Sequence, residues 1–267
     1  MPVSLDSSNT MGSTDNPLLL VREITKYFGG VRALDKVSLD VWEGEVVALL
    51  GDNGAGKSTL IKILAGALEP DEGEIQLDGK PMVFHGPRDA MRAGIHTVFQ
   101  ELSLCDNLDV ASNLFLGNEL ENKLFGCLPY FDTSRMNREA KALLLELAVD
   151  IPRVDRRVKE LSGGQRQALA ISKAVREKSR LLIMDEPTAA LGVAQTKKVL
   201  SLVDNLKRRN LAVIYISHNL HDVLEVSDRC VVLKNGQKVA ELTTKDSDKE
   251  QLTNAILAGD VIVDRKQ

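Results

Sequence analysis

GDNGAGKST, Gly51 to Thr59, fits the pattern GxxxxGK[ST] without a mismatch. Four apolar residues, Val47 to Leu50, lead into it, and an apolar-spaced run from Leu60 to Ala65 follows. That is the strand–loop–helix setting in which such a loop grips phosphate. The residue types follow from the chemistry. Successive backbone N–H groups must converge on phosphate oxygens, and Gly51, Gly54 and Gly56 permit dihedrals closed to residues that carry side chains. Asp52, Asn53 and Ala55 fill the loop between them, and Thr59 closes the motif. The helix that follows turns its unpaired N–H groups and positive dipole end toward the same anion. Lys57 is expected to neutralise the β- and γ-phosphates, and the Ser58 hydroxyl to complete the coordination of Mg²⁺. The stretch predicts an α/β chain that binds a nucleoside triphosphate.

RLLIMDEP, Arg180 to Pro187, narrows the chemistry. Its apolar run, Leu181 to Met184, has the character of a central parallel strand covered on both faces. It ends in two acids, and the carboxyl ends of strands are where open α/β sheets bind ligands. Asp185 suits a role at Mg²⁺, and Glu186 suits the general base that aligns and deprotonates an attacking water. The plainer alternative is that both acids cap the turn before Pro187.

Between these two stretches stands LSGGQRQ, Leu161 to Gln167, followed by Ala168, Leu169, Ile171, Ala174 and Val175 at helical spacing. Ser162 is a natural N-cap, and Gly163 and Gly164 keep the helix mouth open for an anion. LSGGQ resembles the signature of the ATP-binding cassette family, and it lies between the two nucleotide motifs in that family's order. The resemblance runs from about Leu18 to Gly259. It implies a P-loop NTPase (RecA-like) core with an antiparallel β subdomain and an α-helical subdomain, using ATP and Mg²⁺.

The resemblance also implies roles for single residues. In the family an aromatic side chain before the first Gly pair stacks on adenine, and KYFGG puts Phe28 there, with Tyr27 as the alternative. A strand-ending glutamine that senses the metal corresponds to Gln100 in HTVFQE, and a histidine at the γ-phosphate to His218 in VIYISHN. Ser162, Gly163, Gly164 and Gln165 belong to the signature, which in this family contacts the ATP of a partner subunit. One departure stands out. Where the family usually carries SALD, this chain reads AALG, Ala189 to Gly192. The cross-subunit contact of that Asp is not carried over, whereas the loop and Glu186 are intact, so hydrolysis is expected to survive.

Composition fits this picture. The chain has 267 residues, enough for one substantial core, and a net charge of only −4, which argues against a nucleic-acid surface. Cys105, Cys127 and Cys230 have neither disulfide-framework nor zinc spacing. No apolar stretch approaches the roughly 20 residues of a membrane span. Met1 to Pro17 is polar and is expected to be a disordered tail, and 261–267 a C-terminal tail, leaving one cassette over 18–260. Leu18 to Ile24, Val37 to Val41 and Glu74 to Leu77 read as an antiparallel sheet. Residues 102–161 turn helical, with Met136, Ala140, Leu143, Leu144 and Leu147 on one face after a capping start at Asp132 to Ser134. Asn235-Gly236 signals a hairpin, and SDKE, Ser247 to Glu250, a capping box.

No internal repeat is present, so the resemblance implies that a second copy must complete each site, giving a homodimer with ATP sandwiched between subunits. It implies further a membrane permease, a solute-binding protein and a place on the cytoplasmic face of the membrane. Gly86 to Gly117 is similar to the sugar-import branch of the ribose, xylose and fructose type. A nucleoside, quorum signal or amino acid as the solute is the alternative. A translation or DNA-repair ATPase of the same superfamily would need twin cassettes or a long coiled-coil insertion between the nucleotide motifs.

Overall fold

The computed structural model describes residues 16–124, 127–176 and 179–258. Apart from Asn16 and Pro17, the two expected tails lie outside these residues. The chain opens with β1 (Leu19–Phe28) and β2 (Val31–Val41), joined by a Gly29-Gly30 turn, and enters the core through β3 (Val46–Leu50) and α1 (Lys57–Leu64). It continues through β4 (Glu72–Leu77), β5 (Lys80–Met82), α2 (Pro87–Arg92) and β6 (Ile95–Val98). A largely helical stretch holds α3 (Val110–Phe115), β7 (Glu121–Leu124), β8 (Leu128–Phe131) and α4 (Thr133–Glu146), and leads to α5 (Gly163–Arg176). Then come β9 (Leu181–Asp185), α6 (Val193–Arg208), β10 (Ala212–Ile216), α7 (Leu220–Val226), β11 (Arg229–Lys234), β12 (Gln237–Thr243) and α8 (Lys249–Ala258).

Three assemblies result. β2-β1-β4-β5 form an antiparallel sheet, β12-β11-β3-β10-β9-β6 a mixed sheet parallel except at β12, and β7-β8 a separate hairpin. The parallel strands are buried on both faces, which is why each reads as an unbroken apolar run. Alternate residues serve different cores. Val47, Leu49, Leu181, Ile183, Ile214 and Ile216 face α1 and the antiparallel sheet. Val46, Ala48, Leu50, Leu182, Met184 and Tyr215 face a second core that includes residues of α5, α6, α7 and α8. A third core joins Val110, Leu114 and Phe115 of α3 to Met136, Ala140 and Leu144 of α4. Leu169 of α5 belongs to this third core while Ile171 belongs to the second, so α5 ties the helical region to the sheet.

Differences from the sequence reading have local causes. β1 and β2 run on to the Gly29-Gly30 turn, pairing Phe28 with Val31. Left-handed backbone at Glu23 and Lys36 and the shifts of register around Ile24 break the two-residue alternation there, so pattern alone shortens both strands. Between α3 and α4 stands the β7–β8 hairpin rather than continuous helix; its described residues are mostly exposed and carry no burial period. The capping box of α8 is shifted by one residue from SDKE. Asp248 Oδ1 accepts from the Gln251 N–H at 2.8 Å, and Gln251 Oε1 accepts from the Asp248 N–H at 2.9 Å. The Ser247 hydroxyl donates instead to the Thr243 carbonyl. Asp132 caps α4 as expected, accepting from Arg135 N–H.

Two features of this frame are open to test. Arg180, just before β9, forks onto Asp78 in the β4–β5 turn and onto Glu43, clasping the antiparallel sheet to the core. The guanidinium holds the Asp78 carboxyl below the usual range. A depressed carboxyl contributes stability that is present above its unfolded pKa of about 3.9 and lost as pH falls through the lower folded value. Arg180→Ala is therefore expected to lower Tm at pH 7, with the deficit shrinking steadily below pH ~4; a deficit independent of pH would show that packing, not charge, is lost.

Gly192 is the N-cap of α6, in extended backbone (φ −74°, ψ 161°), without a side-chain cap and with open space where a Cβ would stand. An Asp there would accept from the first-turn N–H groups and face the positive helix end. Gly192→Asp is expected to stabilise the fold by a few tenths to about 1 kcal/mol. A thermal melt that shows a drop would mean that the residue is constrained by something other than its cap.

Candidate functional site: a phosphate loop facing a half-buried acid pair

The phosphate loop is defined by where its backbone is allowed to pass. Gly51 has φ 144°, and a Cβ on it would stand 2.2 Å from the carbonyl oxygen of Leu233 in β11. Gly56 has φ 104°, and a Cβ there would stand 2.8 Å from the carbonyl oxygen of Ala33 in β2. From the other side Gly236, in the β11–β12 turn, presses on the same Ala33 carbonyl. Its N–H donates to Ala55 at 3.0 Å, and its carbonyl accepts from Asp35 N–H at 2.8 Å. The loop is thus held between β2 and a hairpin from the far end of the chain. Asn235 and Gly236 both have positive φ, as a two-residue hairpin turn of this kind requires.

Lys57 opens α1 and is nearly buried. Its Nζ arches back to donate to the carbonyls of Gly51 (2.5 Å) and Asp52 (3.0 Å). Burial lowers its pKa, opposed by the nearby Glu186, Asp52 and Asp185 carboxylates. Around it is an open cleft of about 650 Å³. Asp52, Asn53, Gly54, Ala55, Gly56, Lys57, Ser58 and Thr59 line it from the loop, Phe28 from β1, and Gln100, Asp185, Glu186 and His218 from the ends of core strands. Widely separated motifs of the sequence therefore share one cleft. Phe28 lines it; Tyr27 instead stacks beneath Arg32, 5.4 Å from guanidinium to ring centre. Glu101, beside Gln100, lines a different groove with Met91 and Phe99.

The acid pair sits at the carboxyl end of β9. Burial raises the pKa of Asp185, while Lys57 and His218 oppose the rise. Burial likewise raises that of Glu186, again against His218. Glu186 holds a left-handed backbone (φ 51°), costly for a residue with a Cβ, with its N–H donating to the Ile216 carbonyl at the end of β10. His218 Nε2 lies 3.3 Å from Glu186 Oε1, within ion-pair range but misaligned for a hydrogen bond, so this buried oxygen has no hydrogen-bond donor. The His218 N–H donates to Glu186 Oε2 at 3.4 Å. A carboxylate that is half-buried, raised and under-satisfied on its buried oxygen is suited to take a proton.

The signature residues are elsewhere. Ser162, Gly164 and Gln165 line a second groove of about 610 Å³, together with Asp150 and with Gln195 and Lys198 of α6. Ser162 caps α5 as expected, but reciprocally. Its hydroxyl accepts from Gln165 N–H, and its own N–H donates to Gln165 Oε1 at 3.1 Å. Ser-Gly-Gly-Gln has capping-box spacing, a signal that was legible in the sequence. Gly164 matters for close packing, since a Cβ on it would stand 2.9 Å from Gln195 Cβ, and Gly163 lies against Leu191. Sequence reasoning missed Arg32, Ala33 and Asn235 as cleft-lining residues. Asn235 carried a turn signal, but only the fold places that turn at the nucleotide loop.

The packing around Ala33 yields a direct test. Gly236→Ala puts a methyl group against a carbonyl at a φ of 79°. It is expected to cost about 1–3 kcal/mol of stability and to weaken nucleotide binding, read by thermal melts with and without ATP. Unchanged affinity in a destabilised protein would uncouple the hairpin from the cleft.

Comparison with known proteins gives the same picture as the geometry. Residues 34–189 match the ABC transporter family. The chain is 44% identical over 239 residues to the xylose/arabinose import ATP-binding protein XylG of Sulfolobus acidocaldarius, covering 90% of this chain and 93% of that protein. It is also 44% identical to the fructose import ATP-binding protein FrcA of Rhizobium meliloti, covering 86% and 90%. Against the ribose import ATP-binding protein RbsA of Clostridium tetani it is 42% identical, but spans only 46% of that longer protein. Among solved structures it is similar to a nucleotide-free ATP-binding cassette from an ABC transporter, with a TM-score of 0.76, 31% identity and coverage of 91% of this chain and 95% of that one. It is also similar to a dimeric bacterial ABC transporter cassette, with a TM-score of 0.69, 25% identity and coverage of 85% and 98%. A strand–loop–helix phosphate cradle, an acid pair facing it and a separately placed LSGGQ thus agree with overall likeness, and the chain belongs to the ABC transporter family as an ATP-binding cassette.

Proposed function

We propose that this chain is the ATP-hydrolysing subunit of an importer for a monosaccharide, built as one cassette domain over residues 18–260 whose helical part spans about 102–161. The observation that carries the sugar reading is 44% identity, over nearly full length, to two sugar-import ATP-binding proteins. In this reading Phe28 stacks on the adenine, and the backbone from Gly51 to Thr59 cradles the phosphates. Lys57 exchanges its bonds to the Gly51 and Asp52 carbonyls for phosphate oxygens.

Mg²⁺ fits the cleft. Two carboxyls raised by burial leave negative charge that a cation would offset, and Ser58, Gln100 and Asp185 line the same space. Among the described residues no cluster of three or more His, Cys, Asp and Glu could hold a metal. Mg²⁺ is held by one or two carboxylates beside phosphates and water. Bound there by Ser58, Gln100 and Asp185, it would screen phosphate charge.

Glu186 takes the proton of the attacking water, and His218, within 3.3 Å of its carboxylate, holds that geometry and reaches the γ-phosphate. Ser162, Gly163, Gly164 and Gln165 act on the ATP of a second copy. Supporting this division, Ser162, Gly164 and Gln165 line a groove separate from the one around Lys57, and a similar cassette has been solved as a dimer. The closed dimer is favoured by contacts only a triphosphate makes, so hydrolysis releases it. Permease subunits carry the motion across the membrane, and a solute-binding protein delivers the sugar. In this reading the cassette is peripheral, held by the permease at the cytoplasmic face; no described helix is long and apolar enough to cross a membrane.

Glu186→Gln is expected to lower turnover about 10²–10⁴-fold while ATP affinity is kept, and to accumulate a dimer in Mg-ATP on size exclusion. Lys57→Ala should lose affinity instead. A strictly monomeric Glu186→Gln at high protein and ATP concentration would sink the sandwich. For the solute, uptake of labelled pentoses, hexoses, nucleosides and amino acids is compared between cells carrying wild type and Glu186→Gln. Loss confined to one sugar is expected; loss of a nucleoside or amino acid alone would remove the sugar reading and leave the ATPase.

A further inference from the structure

Asp222, the third residue of α7, is 2% exposed, and each of its carboxylate oxygens accepts a bond from a different loop. Oδ2 accepts from the Thr188 hydroxyl at 2.7 Å, and Oδ1 from the Asn219 side-chain amide at 2.8 Å. Thr188 stands two residues after Glu186, and Asn219 directly after His218. Both partners are held in turn. Thr188 Oγ1 lies 3.5 Å from the hydroxyl of the fully buried Tyr215 in β10. Asn219 caps α7 by accepting from His221 N–H, and its own N–H donates to Ser217 Oγ. A buried carboxylate is costly unless its oxygens are satisfied, so neither bond is released easily. Between the two clamped loops lies the left-handed Glu186, a strained conformation that persists only when its surroundings hold it.

We propose that Asp222 is a positioning residue for hydrolysis: by clamping Thr188 and Asn219 it sets the separation between the Glu186 carboxylate and the His218 imidazole. Asp222 and Thr188 line an adjoining cleft with Gln100, Glu186 and His218 and not the one around Lys57, so the clamp acts on the geometry of the acid and the imidazole and not on nucleotide affinity. The inference rests on the reading of Glu186 as the base. Displacing a catalytic group by about 1 Å can cost about 100-fold in rate while binding is kept.

The test uses the full chain and single-turnover ATP hydrolysis, with affinity measured separately using a fluorescent ATP analogue. Asp222→Ala endangers folding, so Thr188→Val, of the same shape without the hydroxyl, is the principal variant, and Thr188→Ser restores the hydroxyl. Thr188→Val is expected to slow hydrolysis about 10- to 100-fold with unchanged affinity, and Thr188→Ser to recover most of it. In Thr188→Val/His218→Ala the two losses should not multiply, because both act on one geometry. Wild-type hydrolysis in Thr188→Val, or losses that multiply, would overturn the clamp. Glu186→Gln is measured alongside. Full activity there would overturn the base reading itself, whereas an inactive Glu186→Gln beside a fully active Thr188→Val would overturn the clamp alone.

Discussion

The structure depends on a close passage of backbone against backbone at one carbonyl, that of Ala33. Gly56 of the phosphate loop and Gly236 of the last hairpin both approach it to a distance at which a Cβ would overlap the oxygen. Gly51 makes a similar approach to Leu233. These contacts join three regions far apart in the chain: the first hairpin, the β3–α1 loop and the β11–β12 hairpin. The loop therefore does not acquire its shape locally. Its backbone path is fixed by strands on both sides. Preorganisation of this kind spares the ligand the cost of ordering the loop.

A second consequence follows at β9. Because the parallel strands are buried on both faces, a carboxyl at their end is only partly solvated. Burial raises the pKa of both Asp185 and Glu186, and Lys57 and His218 only partly offset that. The cleft thus stores unfavourable charge that a cation or a proton can relieve. The same fold that makes an apolar strand legible in sequence also raises the pKa of its terminal acids.

Much of this could be read without coordinates, and the boundary is physical. Motifs with strict stereochemical demands were legible: the glycines of Gly51–Thr59, the Asn235-Gly236 turn, the Ser162 cap and the apolar runs of β3, β9 and β10. What escaped lies where a residue's meaning is set by a distant neighbour. Glu23 and Lys36 adopt left-handed backbone that no local pattern signals, so the first hairpin looked shorter than it is. The β7–β8 hairpin has little burial to impose a period. At α8 two overlapping capping boxes compete, Ser247–Glu250 and Asp248–Gln251. The second is formed because the Ser247 hydroxyl is engaged by Thr243. The cleft was legible as a set of residues, but its Asn235 wall was not.

The unusual Gly192 can now be placed in the same terms. It follows Ala189, Ala190 and Leu191, and its extended backbone caps α6 without a side-chain bond. Leu191 rests against Gly163, and Gln195 of α6 fills the space above Gly164. The start of α6 and the mouth of the signature helix are therefore one packed unit, while Thr188, four residues before Gly192, is clamped to Asp222. The segment from 188 to 192 runs from the acid pair to the signature. A side chain at 192 would face open space in a single chain, so a glycine there forgoes a side-chain cap on α6 and whatever an Asp could offer to another molecule. The departure from the family pattern thus bears on the exposed start of α6, not on the cleft around Lys57.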